Sequence, residues 1–391
     1  MRKFNVTGLC IPDEDYMVDI SGKIEQIKKL VDGRCYFTIN RARQYGKTTA
    51  LNELKKRLEN EYICIKISFE GLGNENFDSS GAFCKVFIKY IVKALGFTST
   101  PKEYINEWAN GDINDFDSLS DHITDMCEEK RVVLMIDEVD KMSNNQVFVH
   151  FLSMLRKKFL ARKEGNDYTF HSVILAGVYD IKNIKLKMIN EGLYTPTEAE
   201  NKIYNSLWNI AADFTVNMFF DPKEIATMLT VYEEDYNTGM DIAAIAAEIY
   251  SYTSGYPFLV SRICQHIDEK LSKDWTLEGV QKAVKIILDE SNTLFDDVFK
   301  NLENNTALSK MIYELLILGE EKPFVIDNMI INTGVMYGFL KNSDGRITVA
   351  NKIFELSPSF GDRVKETKKV AKNGRYEGTE RIIQKKITKN T

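Results

Sequence analysis

The sequence contains no C-x-x-C pair. Its six cysteines stand singly, at Cys10, Cys35, Cys64, Cys84, Cys127 and Cys264. This spacing argues against a structural zinc site and fits a reduced, cytosolic protein. Cys35 and Cys64 lie inside apolar runs and read as small core residues. The histidines His122, His150, His171 and His266 show no metal-ligand spacing, and no Ser/His/Asp order marks a hydrolase triad. There is no apolar run of 18 residues, so no transmembrane helix and no membrane partner are expected. Met1–Cys10 has no signal-peptide apolar region, so export is not expected and the cytoplasm is. Internal repeats and low-complexity tracts are also missing.

What is present is ordinary globular material: 44% hydrophobic and 28% charged over 391 residues, enough for two or three domains. The net charge of −6 hides an asymmetry, because residues 361–391 hold 10 Lys/Arg against 4 Asp/Glu. The first 360 residues therefore carry about −12. Bulk charge on the body disfavours nucleic acid, while the tail favours it.

The first third alternates between β-prone and helical stretches. Cys35–Asn40 and Tyr62–Phe69 are β-prone, and Arg131–Asp137 and Ser172–Val178 are continuous apolar runs of the kind buried on both faces. Between them, Thr48–Tyr62, Ala82–Leu95 and Leu119–Cys127 read as helices. Asp213–Phe220 reads as a last strand. The expectation is an α/β core with a mainly parallel sheet and helices on both faces, over residues 1–220. Asp221-Pro222 is an N-cap followed by proline at the first helical position, and it opens a helical lid at 221–303. Residues 304–360 combine an amphipathic stretch, Thr306–Leu318, with Asp344-Gly345, a hairpin-turn dipeptide. That pattern predicts a winged helix. The 361–391 tail is expected to be disordered.

The chemistry is carried by Arg41-Ala42-Arg43-Gln44-Tyr45-Gly46-Lys47-Thr48, which matches G-x-x-x-x-G-K-[ST] except for Arg41 in the place of the first glycine. Backbone N–H groups of Arg43, Gln44, Tyr45, Gly46, Lys47, Thr48 and Thr49 are the expected phosphate cradle. Lys47 reaches the β- and γ-phosphates, and Thr48 offers its hydroxyl to Mg²⁺. Taken alone, G-K-T also occurs in surface loops with an incidental lysine. The order strand, loop, helix favours the nucleotide site.

A second motif, RVVLMIDEVD at Arg131–Asp140, is an apolar strand ending in Asp-Glu. Asp137 is the expected Mg²⁺ holder and Glu138 the expected general base. Such a strand also occurs as a buried strand with a solvated acidic turn. The 90 residues between Lys47 and Asp137 suit sheet neighbours.

Phe37–Leu51, Asp137-Glu138 and Val173–Asp180 resemble the bacterial AAA-like domain ATPases, relatives of the AAA+ and STAND classes. The resemblance covers roughly residues 5–357. In such families R-x-R-x-x-G-K-[ST] stands where the glycine-rich loop is expected, so Arg41 does not argue against nucleotide binding. The resemblance implies a P-loop ATPase of ATP and Mg²⁺. It also implies a sensor at Tyr179 or Asp180, a lid motif at Gly255-Tyr256-Pro257 with Pro257 near the nucleotide, and a γ-phosphate contact from Arg262. Arg156 and Arg162 are arginine-finger candidates toward a neighbouring subunit of a homo-oligomer. Asp19–Leu30 resembles the segment that abuts adenine.

Phe324–Phe339 contains no Lys or Arg, which disfavours base reading by a winged helix. A protein partner on that domain is expected, with nucleic acid possible but not favoured. The function expected is a nucleotide-driven switch that hydrolyses ATP slowly. The alternatives are a DNA-associated regulator with little hydrolysis, and the ATPase partner of a separate effector such as a nuclease.

Overall fold

In the computed structural model, which describes residues 1–41, 44–139, 145–177, 208–290, 302, 305–325 and 327–357, the apolar runs form one parallel sheet. Its strands are Tyr36–Asn40 (β1), Ile63–Ser68 (β2), Val132–Asp137 (β3) and Ser172–Gly177 (β4), in the spatial order β1-β4-β3-β2. Every residue of β3 and β4 is buried, as parallel strands covered on both faces require. The intervening helices are Ser21–Asp32 (α1), Lys47–Leu58 (α2), Ser80–Leu95 (α3), Lys102–Ala109 (α4), Phe116–Cys127 (α5) and Gln146–Lys163 (α6).

Successive strand side chains alternate between faces. Tyr36, Ile65, Ile67, Leu134, Ile136, Val173 and Leu175 share a cluster with Phe83 and Phe87 of α3, Trp108 of α4 and Phe148 and Phe151 of α6. Phe37, Ile39, Met135 and Ile174 turn the other way, toward the face of α1 and α2. Local signals start these helices. Ser79 accepts from the Ala82 amide at the head of α3, and Asp115 and Ser118 form a capping box at α5.

Two sequence expectations change. The strand of the Asp-Glu motif is not a sheet neighbour of the strand before the G-K-T loop: β4 lies between them. Non-local pairing of this kind leaves no trace in spacing along the chain. Asp213–Phe220 is not a strand. Only Ala212 bridges, to Phe37, with its N–H on Tyr36 O at 2.8 Å. The alternation in that segment is real, since Val216 and Met218 are buried on either side of exposed Asn217. Alternation marks extended backbone, and a strand also needs a ladder.

The chain divides into two compact units: Ile20–Arg41 with Gly46–Met218, and Met1–Asp19, Ala42–Tyr45 and Phe219–Thr391. Met1–Asp19 fall in the second of these units. Phe4 and Tyr16 pack there with Tyr232 and Trp275, at ring separations of 4.8–5.9 Å. The Tyr16 hydroxyl donates to Asp235 at 2.8 Å.

That unit continues through Pro222–Tyr236 (α7), Ile242–Thr253 (α8), Pro257–Glu269 (α9) and Leu277–Asp289 (α10). Asp221 and Glu224 close a capping box on α7 around Pro222 at the helix start. Thr306–Leu316 (α11), Met329–Met336 (α12), the hairpin Leu340–Ser343 (β5) with Arg346–Val349 (β6), and Lys352–Leu356 (α13) complete it. Asp344 and Gly345 both take positive φ, 51° and 80°, the combination a two-residue type I′ turn needs.

Candidate functional site

The C-terminal ends of β1 and β3 carry the two motifs. After Asn40 the chain turns through Gln44, at φ +61°, and Gly46, at φ +72°. Gly46 is the N-cap of α2, and its left-handed backbone is one that side chains disfavour. Lys47 is therefore the first residue of a helix whose first-turn amides point toward the loop, the arrangement that binds anions.

Arg41 explains its own tolerance. Its φ is not positive, and its N–H donates to Gly177 O at 3.2 Å, which continues the β1–β4 ladder by one step. The guanidinium runs sideways, donating to Asn40 O at 2.8 Å and lying 5.6 Å from the Phe214 ring. Nothing in that backbone demands glycine.

The side chains expected to act converge. Lys47 is buried, and its Nζ donates to Arg41 O at 2.9 Å. The Thr48 hydroxyl donates to Asp137 Oδ2 at 2.7 Å, joining residues 89 apart in sequence. Asp137 is buried, and its other oxygen accepts from the Glu138 amide at 3.0 Å. Glu138 itself is half-buried with φ +55°, a backbone strain that non-glycine residues seldom hold without support around them. Thr49 is buried in the first turn of α2. A hydroxyl and a carboxylate side by side form a hard oxygen donor set, which suits Mg²⁺ shared with phosphate.

One neighbour was not evident from the sequence. Lys66 lies on β2, two residues before Ser68, the register partner of Asp137. Burial pushes its ammonium below the ordinary range, against the pull of the Asp137 charge. The available signal was a lone lysine in an otherwise apolar β-prone run, ICIKIS.

Other expected residues are placed as follows. Tyr45 is buried in the second unit, its ring 4.4 Å from that of Tyr256 and 5.1 Å from that of Phe219. Pro257 is the first residue of α9, and Gly255 before it has φ +76°. Arg262 donates to Gln265 and to Glu290, both at 2.8 Å; Glu290 also holds His266 and Lys270. Burial raises the Glu290 carboxyl, but hydrogen bonds from Lys270 and Arg262 outweigh it and hold it at about 2.

Arg162 is not a free finger. It donates to His171 O at 2.9 Å and Arg34 O at 3.0 Å, and lies over the Tyr36 ring at 5.3 Å. Arg156 donates to Asn209 Oδ1 at 2.8 Å. Arg43, Asp140, Tyr179, Asp180 and the 361–391 tail lie outside the described residues.

A family model described as "AAA-like domain" matches residues 16–356. The comparison with curated proteins gives no match. Among solved structures, a Walker-type ATPase of Pyrococcus abyssi is similar in fold, with a TM-score of 0.58 at 11% identity, over 93% of this chain and 99% of that one. The ORC2 protein of Aeropyrum pernix, in ADPNP–ADP complexes, gives 0.53 at 12% identity, over 95% and 98%.

Proposed function

This chain belongs to the AAA-like domain family, and we propose that it binds ATP with Mg²⁺ at the Gly46-Lys47-Thr48 loop and hydrolyses it as a slow conformational switch. The observation that carries the reading is the 2.7 Å contact between Thr48 and Asp137. Two motifs with separate chemical requirements meet at one point, which neither bland alternative for the single motifs accounts for.

In this reading the β- and γ-phosphates lie against the first turn of α2, and Lys47 exchanges its Arg41 carbonyl for phosphate oxygens. Thr48 and Asp137 would hold Mg²⁺, which would supply positive charge to offset that of the phosphates. Glu138 accepts a proton from the attacking water as the new P–O bond forms and the bond to the ADP oxygen breaks. Lys66, beside Asp137, adds positive charge to the same end of the sheet.

The second unit is the lid and partner-binding part in this proposal. Exposed Met329 and Val335 on the cation-free α12 favour a protein partner over DNA. A homo-oligomer that assembles with ATP is part of the same reading, checked by molecular mass in ADP and in ATP.

The test is steady-state phosphate release with Mg²⁺ and ATP. Wild type should turn over, and Asp137→Asn should lose about two orders of magnitude or more. Equal rates in the two proteins would remove the site.

A further inference from the structure

The opposite end of the sheet holds a second cluster of charge. Arg34 stands two residues before β1, Arg131 immediately before β3, and His171 immediately before β4. They line an open pocket of about 710 Å³ together with Lys130 and Arg162. Strands of five or six residues put this pocket about 17–20 Å from the G-K-T loop, so it is not part of that site.

The pocket is electropositive in a chain whose net charge is −6. Four cations line it against two carboxylates, Glu129 and Asp167. Asp167 is already matched: the Nζ of fully buried Lys158 meets it at 2.8 Å. Among the described residues, Arg34, Lys130, Arg131 and Arg162 form no ion pair with a carboxylate; Arg162 is held by backbone carbonyls instead. With Asp167 matched, four cations face the single carboxylate of Glu129, and the like charges around one cavity repel; an anion in the cavity would relieve that repulsion. His171 registers the field: burial and then Arg34, Arg162 and Arg131 push its imidazole down to about 4. On the rim Tyr168 leaves 49% of its surface exposed, a ring face open to stacking.

We propose that this pocket, at the N-terminal edge of the sheet, is a second ligand site that binds a phosphorylated small molecule with a planar ring, through Arg34, Arg131, Lys130 and Tyr168. Planar guanidinium groups take phosphate oxygens two at a time, and the volume exceeds what a bare phosphate fills. The inference does not rest on the reading of the G-K-T loop.

The test uses the full chain carrying Lys47→Ala, to silence the first site, with inorganic pyrophosphate and ADP as probes in calorimetry. One site should remain for each probe. Arg34→Ala with Arg131→Ala should weaken both tenfold or more, and Arg34→Lys with Arg131→Lys should restore part of the loss. Both arginines are exposed, so an unchanged melting temperature is expected and separates lost binding from lost fold. Tyr168→Ala should weaken ADP but not pyrophosphate. Absence of binding by both probes at millimolar concentration overturns the proposal, as does binding that ignores the arginine substitutions. Displacement by a DNA oligonucleotide but not by ADP overturns it in favour of a nucleic-acid backbone.

Discussion

Gly255→Ala should cost the second unit about 3–4 kcal/mol. Gly255 has φ +76°, where an alanine side chain costs about 1–2 kcal/mol. A Cβ built there would also lie 1.9 Å from Phe220 O, against an ordinary contact of 3.4 Å or more. Phe220 must therefore retreat by about 1.5 Å, and backbone atoms have no rotamer with which to do so. That movement breaks the 2.9 Å bond from Phe220 N to Gly255 O, worth about 1 kcal/mol, and pulls on the Asp221 cap of α7, worth about another. For a unit of this size the melting temperature should fall by about 10 °C. Gly22→Ala is the matched control: Gly22 lies in the first turn of α1 with nothing within 4 Å of an added Cβ, and alanine there should leave stability at or slightly above wild type. Thermal and urea unfolding followed by circular dichroism reads both. If Gly255→Ala unfolds within about 1 kcal/mol of wild type, the close approach to Phe220 is not what fixes this turn.

Three further outcomes are expected. Lys47→Ala should lose tight ATP binding by calorimetry, because the ammonium nearest the start of α2 is gone; unchanged affinity would remove the loop from the site. Glu138→Gln should keep ATP binding and slow turnover by about 10²–10⁴-fold, and a wild-type rate would show that another group takes the proton. Stability should fall as pH drops from 6.5 toward 4. His171 stays neutral in the fold down to about 4, whereas the unfolded chain takes up its proton near 6.5, so the unfolded state binds more protons in that window. The loss is at most about 3 kcal/mol. His171→Gln, which has no proton to gain, should flatten the slope in urea titrations. Asp32 faces the same ring and contributes its own titration only at the lower end, since Lys28 and Tyr62 hold its carboxyl below the usual range against its desolvation.

The features legible in the sequence are those whose cause is local. The G-K-T loop, the Asp221-Pro222 helix start and the Asp344-Gly345 turn each depend on a few adjacent residues, and each is found where its residues stand. The apolar runs at Arg131–Asp137 and Ser172–Val178 announced the fully buried strands Val132–Asp137 and Ser172–Gly177. What stayed hidden depends on partners far along the chain. Insertion of β4 between β1 and β3 is a pairing choice. The Asp213–Phe220 alternation looked like a strand because period-two burial precedes any ladder. Tyr45, read as part of the phosphate cradle, is also an aromatic core residue of the second unit, and nothing around it in sequence names Tyr256 or Phe219 as its partners. The basic pocket escaped notice because Arg34, Lys130, Arg131 and Arg162 are scattered in sequence and gather only when three strands begin side by side.

The docking of Phe4 and Tyr16 against Tyr232 and Trp275 also sets a timetable. A ribosome releases Phe4 about 270 residues before Trp275, which at 5–20 residues per second is a delay of roughly 15–55 s. The segment from Ile20 to Met218 can close its own core during that interval. The helical unit has no such freedom, since Phe4 and Trp275 stand on opposite sides of that whole segment. Phe4 and Tyr16 therefore travel uncovered until Tyr232 and Trp275 have been made, and a holding chaperone that binds short apolar segments would find them open during that interval.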